Sequence, residues 1–215
     1  IALHALDGLA ELREAIAHRR CAPQEATLRF NRVIAALLSL VFEAADVAAD
    51  PAVSRLLVAL FNLMQGKEFA GQERAAGAAA FAAGTTGRAG EQGLLHLIEA
   101  QEACFERFET FCPPDTLASW RAAQAAMPLA ELERLRRKLI AAGQGTALAP
   151  ALAEAWFACC SQRLDQAREV ESALATELRA TCAQRIAALQ VDPDDPQAVL
   201  EELAGRADPA APLGM

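Results

Sequence analysis

Apolar residues recur at steps of three and four along most of the chain, the period of a helix with one buried face. Residues 1–20 carry Leu3, Leu6, Leu9, Leu12 and Ile16 at that spacing and predict a first helix. Cys21-Ala22-Pro23 breaks it, and a second helix is expected from Pro23 to about Ala48, with Leu28, Val33, Leu37, Leu40 and Val41 as its stripe. Asp50-Pro51 reads as a restart, with Asp50 as cap and proline at the first helical position. A long helix should follow to Ala83, with Gly66 or Gly71 as the places for a kink.

Gly84 to Gly93 holds four glycines and reads as the clearest loop. Helices are then expected over 94–111, from an Asp115 cap to Ala126, from Pro128 to Ala142, and from Pro150 to about Leu189. The last stretch, 191–215, is rich in Asp, Pro and Ala and reads as a linker or cut end, with a short helix over 196–204. The pattern predicts an all-α fold of packed helical bundles with short connections.

Composition agrees with this picture. Of the 215 residues, 53% are hydrophobic, 5% are aromatic and none is Tyr. Alanine and leucine dominate, and both favour helices. A net charge of −8 argues against non-specific binding of nucleic acid over the whole surface. The six cysteines form no C-x-x-C pair and read as reduced thiols in a cytoplasmic protein. No run of 18 uncharged apolar residues is present, so no membrane span is expected.

The basic residues change the picture. Lysine occurs only at Lys67 and Lys138, and the other cations are arginines, which suit planar, bidentate contact with oxyanions. A helix turns by about 100° per residue. On the 51–83 helix, Leu56, Leu60, Leu63, Lys67, Ala70, Ala78 and Phe81 all fall within about 40° of Arg74, which places two cations on the face expected to be buried. Arg136 falls on the Leu132–Leu139 face of its helix, while Arg134 and Arg137 point away. Arg163 lies at the edge of the stripe made by Trp156, Cys160, Ala167 and Leu174. Each such cation has two readings. It pairs with a core carboxylate as a structural ion pair, or several guanidinium groups converge between helices to make a dry pocket for an anion.

Other chemistry is weak. His4, His18 and His96 have no metal-ligand spacing, and the chain carries no phosphate-binding loop, nucleophile elbow or catalytic Cys/His pair. No cofactor and no enzymatic activity are expected.

The segment Gly66-Lys67-Glu68-Phe69-Ala70-Gly71-Gln72-Glu73-Arg74-Ala75 resembles the NIT family, the nitrate- and nitrite-sensing domains of bacterial regulators. Leu56 to Phe61, Phe81 to Gly84, Leu97 to Glu102, Glu133 to Arg137, and Trp156 through Asp165 are similar to the family as well. The likeness spans roughly residues 1–190, and residues 191–215 would lead toward an output domain. It implies two packed helical bundles sharing long helices, with nitrate or nitrite bound between them through arginines. By motif, Arg74 is the first candidate ligand, and Lys67 shares its stripe. One more ligand should come from 134–137. The face argument favours Arg136 and the spacing of the motif favours Arg134. The family's early Gln-x-Glu-Arg-Gly motif is missing, so its first long helix is expected to be absent here. The resemblance further implies a homodimer. It implies contact with RNA only through an attached output such as an ANTAR antiterminator. The competing reading is a structural or partner-binding helical module without a small ligand.

Overall fold

The computed structural model describes residues 6–127 and 129–189, and they are helical almost throughout. The helices are α1 (Leu9–Ala17), α2 (Pro23–Val47), α3 (Pro51–Ala83), α4 (Arg88–Phe111), α5 (Pro114–Ala125), α6 (Leu129–Gly143) and α7 (Ala153–Leu189). A 3-10 turn over Pro150–Leu152 leads into α7. The predicted helix over 196–204 and the 191–215 linker lie outside the described residues. The chain divides into two compact units, one ending at Leu178 and the next starting at Arg179. Of the second, the described part is the end of α7, residues 179–189.

Boundaries follow local chemistry. The Asp50 carboxylate accepts from the Ala52 and Val53 N–H groups at 2.9 and 3.0 Å, so α3 starts as expected. Gly84, at φ 72°, ends it. The Gly84–Gly93 loop is shorter than expected, because α4 begins at Arg88 and takes in Gly90 and Gly93. Asp115 does not cap α5. That helix starts at Pro114, and no side chain caps it. No break interrupts α3 at Gly66 or Gly71.

The first unit contains two cores stacked end to end. Leu56, Leu60 and Leu63 of α3 pack with Phe105 and Phe108 of α4, Trp120 of α5, and Val170 and Leu174 of α7. Farther along the same helices, Phe81 packs with Leu94, with Leu132, Leu135 and Leu139 of α6, and with Trp156 and Cys160 of α7. The N-terminal half of α3 meets the C-terminal half of α4, so the two are antiparallel. Helices α3, α4 and α7 thus run through both bundles, while α5 completes one and α6 the other. The expectation of two bundles sharing long helices holds.

The six thiols are free, and Cys104, Cys112 and Cys160 are buried. Burial pushes the Cys112 thiol up to about 11 and the Cys160 thiol up to about 12. Adjacent Cys159 and Cys160 are therefore poor nucleophiles. Both Cys112 and Cys160 should resist a thiol reagent at pH 8 in folded protein and react only after denaturation. Fast native labelling of Cys160 would contradict the packing around it.

Candidate functional site

The two apolar cores do not touch directly. Between them lies a buried polar layer to which four helices each contribute one residue. Glu73 of α3, Gln101 of α4, Arg136 of α6 and Arg163 of α7 are 1%, 0%, 4% and 9% exposed. Arg136 donates from Nε to Glu73 Oε1 at 2.7 Å and from a terminal nitrogen to Oε2 at 2.8 Å. This is a bidentate fork, the strongest geometry for such a pair. Its other terminal nitrogen reaches Glu133 Oε1 at 2.7 Å. Burial opposes the charge on Arg136, but the Glu73 and Glu133 carboxylates outweigh it and raise the guanidinium above its ordinary pKa.

Gln101 joins the two halves of the layer. Its amide donates to Glu73 Oε2 at 2.6 Å, and its oxygen accepts from Arg163. Arg163 also lies over the Phe105 ring at 5.2 Å, and its Nε has no partner. No carboxylate among the described residues pairs with it directly. Burial and the nearby Arg136 charge push it below the ordinary arginine range.

Arg74 sits one residue from this layer but outside it. The guanidinium is half-buried, lies 4.7 Å over the Phe157 ring, and donates to Ser161 Oγ at 2.9 Å. Its backbone carbonyl accepts from the Trp156 indole at 2.9 Å. That contact requires glycine at position 77, where a Cβ would fall 2.3 Å from the indole. Arg74 also lines a groove of about 440 Å³ between α2, α3 and α7. Apolar Ile34, Leu38 and Met64 share the groove with the cations Lys67 and Arg168 and the carboxylates of Glu68 and Asp165.

The structure does not bring the four sequence candidates together. Lys67 and Arg74 share the groove, and Lys67 is paired with Glu171. Arg134 forms a partly exposed pair with Glu131, its Nε at 2.7 Å from the carboxylate. Arg136 faces the core, as its position against Leu132 and Leu139 predicts, and is held by Glu73. No cluster of His, Cys, Asp and Glu among the described residues could hold a metal ion. No described helix is long and apolar enough to cross a membrane.

With this geometry in place, comparison with known proteins is decisive. The family model for nitrate and nitrite sensing matches residues 1–179. The chain belongs to the NIT family. Over 174 residues it is 40% identical to a nitrate regulatory protein of Klebsiella oxytoca, covering 80% of this chain and 43% of that protein. The solved structure of the NasR transcription antiterminator superposes with a TM-score of 0.76 at 38% identity, covering 85% of this chain and 49% of that one. The chain thus spans less than half the length of these relatives.

Within the NIT domain, the sequence reading missed Glu73 and Gln101 as members of the polar layer, and Phe157 and Ser161 as contacts of Arg74. Glu73 left a signal, since it adjoins Arg74 within the Gln-Glu-Arg-Ala segment. Gln101 and Ser161 are neutral and left none.

Proposed function

We propose that this NIT domain binds nitrate or nitrite through arginine and passes the bound state to an attached output, in a dimer whose output is an RNA-binding antiterminator. One observation carries the ligand assignment. Arg74 is half-buried against an aromatic ring and has a neutral hydroxyl as its partner, whereas Lys67, Arg134 and Arg136 each hold a glutamate. A guanidinium partly shielded from water, with no carboxylate among the described residues paired to it, favours an anion.

The other candidates have graded roles. The pairs of Lys67 with Glu171 and of Arg134 with Glu131 are partly exposed, so each is screened by solvent and exchanges its glutamate readily for a ligand. Arg136 has the least freedom to turn, since a bidentate fork fixes it. Its part in sensing is to anchor the layer next to Arg74. The membership in the family and the regulatory names of the relatives support nitrate and nitrite over other oxyanions.

Thermal unfolding tests the reading. Nitrate at 100 times its Kd should stabilise the domain by about 2.7 kcal/mol, a rise in Tm of roughly 5–10 °C. Arg74→Ala should abolish the rise while leaving the far-UV circular dichroism intact. A wild-type Tm indifferent to both nitrate and nitrite would overturn the proposal.

A further inference from the structure

Hydroxyl side chains inside helices usually donate back to a carbonyl of the preceding turn. This chain follows the habit. Thr27, Thr110, Ser119, Ser172 and Thr176 each donate to the carbonyl four residues earlier, at 2.9–3.1 Å. Ser161 departs from it. Its oxygen is the acceptor for Arg74, and its own proton has no acceptor among the described residues. A hydroxyl that accepts from a guanidinium is polarised toward donating its proton. The proton is therefore left over beside a cation.

The arginine is oriented as well. The guanidinium carbon lies 4.7 Å over the Phe157 ring, which restricts where the group can sit. Among the described residues, one of its terminal nitrogens is used, by Ser161. Phe157 and Ser161 lie four residues apart and share one face of α7. Leu164 and Asp165, one turn beyond Ser161, line the same groove as Arg74. Arg74 itself lines this cavity of about 440 Å³, and Ser161 is its hydrogen-bond partner beside it.

We infer that Ser161 is a ligand-binding and specificity-determining residue: its hydroxyl donates to a small planar oxyanion held by Arg74, and Phe157 sets the plane in which that anion lies. This inference rests on the assignment of Arg74 as the anion-binding arginine. A donor set of a fixed planar guanidinium edge and one hydroxyl matches an anion with several oxygens in one plane. It discriminates against chloride, a sphere that gains nothing from the orientation of its donors. Phe157 is 51% exposed, so its use as a platform is not explained by core packing.

Titration calorimetry of the full chain with sodium nitrate and sodium chloride tests this. Ser161→Ala should weaken nitrate about tenfold, the expected loss for a hydrogen bond to a charged group, with chloride affinity changed less than twofold. Ser161→Thr, which keeps the hydroxyl, should restore most of the affinity. Phe157→Leu should narrow the ratio of nitrate to chloride affinity while the fold, read by circular dichroism, is kept.

The outcomes separate the two ideas. If Arg74→Ala abolishes nitrate binding and Ser161→Ala binds it as wild type does, the role of Ser161 is refuted and the arginine assignment stands. An equal loss of nitrate and chloride in Ser161→Ala refutes the specificity role. If Arg74→Ala binds nitrate normally, or the wild-type chain binds none, the assignment of Arg74 fails and the inference falls with it.

Discussion

Glu73→Ala should lower the unfolding free energy by about 3 kcal/mol, the lower end of the range for breaking a buried ion pair. The carboxylate it removes is 1% exposed and accepts three hydrogen bonds, two from Arg136 and one from Gln101. Its loss strands a buried guanidinium and a buried amide. The effect stays at the lower end because Glu133, half in solvent, still holds one nitrogen of Arg136 at 2.7 Å. Glu73→Gln should cost less, since an amide oxygen can accept part of the fork. Urea denaturation at pH 7 measures the loss, and a thermal melt should show a fall in Tm of roughly 6–12 °C. A loss below about 1 kcal/mol would show that water or a neighbouring acid replaces Glu73.

Gly77→Ala should be nearly as damaging, at about 3 kcal/mol, although alanine is the better helix former. A Cβ at position 77 would lie 2.3–2.5 Å from three atoms of the Trp156 indole. The indole is fully buried and tied to the Arg74 carbonyl, so it has nowhere to move. Gly93→Ala, where a Cβ meets nothing within 4 Å, is the control. It should stabilise the protein by about 0.5–1 kcal/mol. Opposite signs in thermal melts of the two variants support the close approach of α3 and α7. Equal signs would show that Trp156 can repack.

The helices were largely legible because apolar spacing and the Asp50-Pro51 restart are local signals. The start of α4 was not. Glycines at 90 and 93 look like loop residues, yet the helix accommodates them, and Gly90 leaves room for the Thr86 hydroxyl 2.2 Å from where a Cβ would stand. The burial of Arg136 was legible from its place between Leu132 and Leu139. Arg74 lies where apolar spacing alone misplaces the buried face. The apolar count centred the buried face of α3 on it, but the face is turned by roughly 50° toward Ala59, Gly66, Glu73 and Gly77. Those positions carry small or charged side chains, which a tally of large apolar residues does not weigh. They are buried because Phe105 and Trp156 press on the helix backbone at Gly66 and Gly77. Arg74 is displaced to the rim and Glu73 takes the interior.

The four-residue layer also acts as a register key. Sliding α3 or α6 along its neighbours by one turn, about 5.4 Å, would part the Glu73–Arg136 fork and leave both charges in apolar surroundings. A slide of these helices by a whole turn is therefore closed to the domain. Motions that keep the two nitrogens of Arg136 on the two oxygens of Glu73, such as small tilts about the layer, are those that leave this lock unbroken.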